Sequence, residues 1–215
     1  MPGVAVPQLY QKYYIDKQDE RTGLFFTLAE CYPIKKVLYP GSFVDISPSM
    51  IFPEVVYMDS DKQYKKFMQD ESVNKYIESR KQYQESAIIR LRYGDYSKPL
   101  GEKEGYFDLL ISLYAGFVSQ DCKNYLQKGG FLLVNNSHAD AEMAFVDEDY
   151  SLIAAVNRRG DVFSLRVKDL QTYFIPRKKD ALMTKELITK RRRGLGFKKY
   201  AYAYLFQYAD RAGIA

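Results

Sequence analysis

Glu54-Val55-Val56-Tyr57-Met58-Asp59-Ser60-Asp61 is the stretch on which the reading of the whole chain turns. Its first five residues are β-prone and mostly apolar, and the run stops on acids. Ser60 or Asp61 is then placed to cap the helical pattern that runs from Lys62 to about Tyr83. A strand too apolar to keep one face in water, followed directly by a helix, belongs in a parallel sheet covered on both faces.

The same grammar repeats outward. Upstream, Lys36-Val37-Leu38-Tyr39 is a short strand ending at Pro40-Gly41. Downstream, Ser86 to Tyr93 stops at Gly94-Asp95, and Phe107 to Ser112 leads into Tyr114-Ala115-Gly116. A helical pattern from Phe117 to Leu126 is stopped by Lys128-Gly129-Gly130, and Phe131 to Val134 ends at Asn135-Asn136-Ser137-His138. Five such units predict an α/β, doubly wound, mostly parallel sheet.

Beyond residue 137 the rhythm changes. Leu152–Asn157 and Val162–Val167, separated by Arg158-Arg159-Gly160-Asp161, predict an antiparallel hairpin. From Tyr200 to Tyr208 aromatics fall at every second position, which predicts an antiparallel C-terminal strand with a core face. Residues 8–32 read as one or two amphipathic helices broken around Thr22-Gly23, and Pro176 to Asp180 is linker-like. The expected organisation is one domain over 1–215: a helical lead-in (1–33), a ligand-binding core (34–137) and an antiparallel, basic part (138–215).

Composition removes several classes. The chain has 215 residues, 47% of them apolar and 27% charged, enough for a sizeable core. Its two cysteines, Cys31 and Cys122, form no CxxC pair, so neither a disulfide framework nor a cysteine-held metal is expected. The start Met-Pro-Gly-Val-Ala-Val-Pro-Gln has no basic segment followed by an apolar one, and Phe107–Val118, the longest apolar stretch, is shorter than the ~20 residues a membrane span needs. A cytoplasmic location is the expectation. The net charge of +5 is unevenly spread, since ten of the 23 residues from Arg177 to Lys199 are basic. Such a run is either a solvated face or a surface for an anionic partner.

In an open α/β sheet, ligands sit beyond the carboxyl ends of the strands where the strand order reverses. The residues at those places are Tyr39-Pro40-Gly41-Ser42 after the first strand, Asp59 after the second and Gly94-Asp95-Tyr96 after the third. Asp59, 18 residues beyond Gly41, is suited to accept the two hydroxyls of a ribose. Asp95 can accept from an exocyclic amine, with Tyr96 lying against a base.

A glycine turn, an acid ending strand two, Gly-Asp after strand three, Phe-Asp-Leu-Leu-Ile opening strand four and Lys-Gly-Gly before strand five resemble, in that order, the class I S-adenosylmethionine (SAM)-dependent methyltransferases. The resemblance covers about residues 34–137. The departure lies in the first motif, where the family usually has several glycines and this chain has Gly41 alone. The resemblance implies SAM as cofactor, with Tyr39, Gly41 and Ser42 near its methionine part, Asp59 and Ser60 near the ribose, Asp95 and Tyr96 at the adenine, and Ser112, Leu113 and Tyr114 toward the sulfonium.

Methyl transfer from a sulfonium needs alignment and sometimes removal of a proton. His138, the sole histidine, follows the fifth strand and can serve as a general base, and Tyr114 can orient an acceptor. Asn135, Asn136 and Arg192 are the candidate acceptor-binding residues. No Asn/Asp-Pro-Pro-Tyr/Phe follows strand four and neither cysteine follows a proline, so a small-molecule acceptor is expected ahead of a nucleic-acid base. Two alternatives remain: a non-catalytic relative that binds nucleic acid or protein through its basic C-terminal region, and a nicotinamide-dependent oxidoreductase. The second lacks the three-glycine fingerprint.

Overall fold

The computed structural model describes residues 4–178 and 181–209. Its centre is a sheet of eight strands, β1 (Lys36–Pro40), β2 (Glu54–Asp59), β3 (Ile88–Tyr93), β4 (Phe107–Ser112), β5 (Leu126–Val134), β6 (Tyr150–Arg159), β7 (Val162–Arg166) and β8 (Ala203–Tyr208), in the order β3-β2-β1-β4-β5-β8-β6-β7. Strands β1 to β5 are parallel, and β8 enters antiparallel between β5 and β6. This is the doubly wound, mostly parallel sheet with antiparallel C-terminal strands that the sequence predicts. The order reverses at β1, whose neighbours are β2 on one side and β4 on the other.

The central strands are apolar because both their faces are covered. Val37, Tyr39, Val55, Tyr57, Leu109 and Ile111 pack into one buried layer, while Leu38, Val56, Leu110 and Leu132 pack into the other. The first layer is closed by α2 (Thr22–Cys31) and α4 (Ser72–Arg80), and the second takes Ala141 and Ala144 of α6 (Asp140–Phe145). Among the described residues, no helix is long and apolar enough to cross a membrane.

Several sequence expectations shift for local reasons. The N-terminal stretch is α1 (Gln8–Tyr10), one π turn (Gln11–Ile15) and α2, so the break falls at 16–21 and Gly23 lies inside a helix. A Cβ on Gly23 would come within 3.3 Å of the Asp161 carbonyl, so the glycine lets α2 approach the β6–β7 turn. The single helix expected from Lys62 is two, α3 (Lys62–Phe67) and α4, because the Asp70 carboxylate accepts from the Ser72 amide and hydroxyl and starts a new helix. Between Phe117 and Tyr125 there are only α5 (Val118–Asp121) and a 3₁₀ turn (Lys123–Tyr125). The expected helix stop, Lys128-Gly129-Gly130, lies inside β5 instead, with Gly129 at φ +80° where the ladder with β4 shifts register.

The last strand begins at Ala203 rather than Tyr200, and a helix absent from the sequence reading, α7 (Lys185–Arg191), precedes it. Of the linker-like stretch, Pro176 bridges Phe197 in antiparallel pairing, whereas Lys179 and Asp180 lie outside the described residues.

Candidate functional site

At the reversal point the loops after β1 and β4 touch. Gly41 has φ +66°, and a Cβ there would stand 2.6 Å from the Cβ of Ala115. The turn therefore needs glycine twice over, for its backbone and for its space. Above this contact lies a cavity of about 650 Å³, whose walls include Tyr39, Gly41, Ser42, Asp59, Tyr96, Leu113, Tyr114 and His138. A second cavity of about 320 Å³ is lined by Asp95, Tyr96, Ser97, Phe117, Asp121, His138 and Arg192.

Tyr96 stands between the two. Its hydroxyl accepts the Gly116 amide hydrogen at 2.9 Å, and burial pushes its pKa up, so it remains a neutral phenol. The structure thus brings Tyr39, Gly41, Ser42, Asp59, Tyr96, Leu113, Tyr114 and His138 to one cavity and puts Asp95 and Arg192 in the next, with Tyr96 and His138 bordering both.

Asp59 is held at the end of β2 by two backbone donors, Phe43 N–H and Asp61 N–H, each at 2.8 Å. It fastens the loop after β1 to the end of β2. A carboxylate offers about four lone-pair sites, so two remain for a ligand. Asp95 accepts from the Ser97 amide and hydroxyl, which draw its pKa down. Ser60 is exposed, outside the lining of both cavities.

Ser112 is turned away from either cavity. It donates at 2.6 Å to the buried Asp140, which also accepts from the amide and hydroxyl of Ser119. Burial raises the Asp140 pKa to about 6 in spite of those donors. Asn135 accepts from the Tyr114 amide at 3.2 Å and from Ser137, so its work is to shape the two loops. Asn136 donates to the buried Glu142 at 2.9 Å. Both asparagines, with Tyr114, Arg193, Tyr200 and Tyr202, line a further cavity of about 330 Å³.

The wall that the sequence reading missed comes from the N-terminal segment. Tyr13, Tyr14, Lys17, Asp19 and Arg21 all line the large cavity. Arg21, 4% exposed, donates to Asp19 at 2.7 Å, Asp45 at 3.0 Å and the Tyr39 hydroxyl at 3.2 Å, and its guanidinium lies between the rings of Tyr14 and Tyr114. Burial disfavours its charge, and Tyr39 and Asp45 more than offset that. The available signal was Asp19-Glu20-Arg21, a charged break between two amphipathic stretches. No strand-end rule marks such a position.

Tyr114 is where these spaces meet, because it lines both the 650 Å³ and the 330 Å³ cavities. It is 54% exposed and has φ +62°, a conformation that a tyrosine adopts only when its surroundings hold it there. Here the Asn135 carbonyl oxygen and the Arg21 guanidinium do so.

No protein-family model and no curated protein matches the sequence. Among solved structures, a candidate O-methyltransferase from Klebsiella pneumoniae is similar with a TM-score of 0.48 at 14% identity, over 67% of this chain and 76% of that one. An S-adenosylmethionine-dependent methyltransferase from Thermotoga maritima gives 0.46 at 8%, over 94% and 96%. The YcgJ protein from Bacillus subtilis gives 0.39 at 18%, and this match spans 58% of the chain and only 55% of its counterpart. The strand order and the place where it reverses, rather than these distant likenesses, assign the fold.

Proposed function

We propose that this chain is a SAM-dependent methyltransferase whose cofactor lies across the reversal point between β1 and β4. One observation carries the reading: Gly41 at the end of β1 and Asp59 at the end of β2 line the same cavity at the place where a doubly wound sheet binds its ligands. Asp59 has two lone-pair sites left for ribose hydroxyls, and Gly41, Ser42 and Leu113 flank the methionine side. Asp95, beyond Tyr96, is the acceptor for the adenine amine.

When bound, SAM supplies a methyl group on a positively charged sulfur. The protein's own part is to exclude water and align the two reactants. The five tyrosines of the large cavity give it an apolar lining with polar tips. His138 borders both compartments and is placed to take a proton from an acceptor, while Tyr114 stands at the opening through which an acceptor arrives.

The test is calorimetric titration with SAM and S-adenosylhomocysteine, with NADH as the comparison. Micromolar binding of both adenosyl ligands, weakened by Asp59→Ala and by Asp95→Ala, is expected. Binding of NADH in preference to both sinks the reading.

A further inference from the structure

Residues 175–200 carry a concentration of positive charge that the cofactor site does not use. Among the described residues of this segment nine are basic and Glu186 alone is acidic. Three of the cations answer to acids: Arg191 donates to Glu142, Lys185 lies 3.2 Å from Asp147, and Arg192 acts on the Asp121 carboxylate across the 320 Å³ cavity. The rest sit on a folded support rather than a loose tail. Arg177 N–H donates to the Gly196 carbonyl at 2.8 Å, Lys198 N–H to the Ile175 carbonyl at 2.9 Å, and the Arg177 side chain to the Phe197 carbonyl at 2.9 Å. Phe197, 1% exposed, anchors this short two-stranded arm against Phe174. Burying that one ring leaves Lys198, Lys199 and Tyr200 facing water.

Tyr200 is 56% exposed, and the Arg177 guanidinium lies 5.1 Å from its ring centre. It lines the 330 Å³ cavity with the exposed Arg193 and with Tyr114, so an exposed aromatic, an exposed cation and the residue shared with the large cavity form one continuous face. Phosphates seek fixed cations, and unpaired bases seek exposed aromatic faces next to them. A duplex hides its base faces, and an acidic peptide has none. A small acceptor would use a single cation, whereas Arg177, Arg193, Lys198 and Lys199 extend along the arm.

We propose that this face binds single-stranded nucleic acid, with phosphates along the arm and a base against Tyr200. The strand then presents a nucleotide to the opening at Tyr114, a step that rests on the methyltransferase reading, whereas the binding itself does not.

Fluorescence anisotropy tests the binding with a labelled 12-nucleotide RNA, the DNA of the same sequence, the DNA duplex and polyglutamate. Either single strand should bind, and with about four phosphate contacts the affinity should fall about 50-fold between 50 and 200 mM salt. Arg193→Ala with Lys198→Ala should lower the salt slope by about 1.4, and Tyr200→Ala should weaken binding about tenfold. These exposed positions leave the melting temperature unchanged. No binding at 50 mM salt, equal binding of duplex or polyglutamate, or indifference to Tyr200→Ala overturns the proposal. SAM titration of the same samples separates the two ideas: oligonucleotide binding without SAM binding retains the face and discards methyl transfer, and the reverse discards the face alone.

Discussion

The Tyr96 hydroxyl and the Gly116 amide, 2.9 Å apart, tie the loop after β3 to the loop after β4 and wall off Asp95 from Asp59. If an adenosyl ligand reaches both acids by crossing this partition, it parts the bond. Tyr96→Phe keeps the ring and deletes the bond, worth about 1 kcal/mol, so S-adenosylhomocysteine should bind about fivefold more tightly to the variant. Calorimetry on both proteins decides it, and unchanged affinity would show that the ligand leaves the partition standing.

Arg21 is buried with two carboxylates and a phenol around it. Arg21→Met leaves Asp45 buried with its main countercharge gone, for which about 3 kcal/mol or more of lost stability is expected. Urea unfolding measures this. A loss under about 1 kcal/mol would mean that Asp45 finds another partner.

Two buried acids should respond to pH in opposite senses. Burial raises the Asp140 pKa to about 6, so between about pH 4 and 6 the folded state holds a proton that the unfolded state has released. Stability from this residue is full below about pH 4, falls by roughly 3 kcal/mol as pH rises to about 6, and is flat beyond. For Asp147, burial works against ionisation, but Lys123, the Asp149 amide and Gln120 overcome it and lower the pKa to about 2. Its contribution is present above about pH 4 and is lost as pH falls toward 2. Denaturation of the wild type against Asp140→Asn and Asp147→Asn across pH 2–7 should give difference curves of opposite slope. Curves of the same slope would contradict one of the two assignments, and flat curves would contradict both.

Gly41→Ala places a methyl where Ala115 already stands and forces an alanine to φ +66°. Strain of about 1–3 kcal/mol is expected, with a melting temperature lower by several degrees. The double variant Gly41→Ala/Ala115→Gly should recover the part due to the clash and leave the part due to the backbone. If it recovers nothing, the clash contributes little.

The parallel core was legible because four of its five strands end in a recognisable turn: Pro40-Gly41, Asp59-Ser60-Asp61, Gly94-Asp95 and Asn135-Asn136 all stand where the strands stop. The placement of Gly41 and Asp59 at one cavity followed from that, whereas Leu113 was reached only through the family resemblance. What stayed hidden depended on contacts distant in sequence. Arg21 reaches Asp45 and Tyr39, and nothing near it in the chain announces a cavity wall. Ser112 sits at a strand end yet answers to Asp140, 28 residues on. The helix stop assigned to Lys128-Gly129-Gly130 went astray because glycines in a register shift and glycines after a helix look alike until the partner strand is known.

Glu142 deserves a mechanical reading. Fully buried in α6, it receives the Asn136 side chain from the end of β5, the Arg191 guanidinium from α7 and the Leu195 amide from the turn beyond. One carboxylate thereby rivets the root of the basic arm to the same strand end that borders the opening at Tyr114. The arm is therefore fixed at its root, and a ligand that binds beside it should do so without a hinge motion of the arm. Encounter rather than hinge motion would then set the pace of loading.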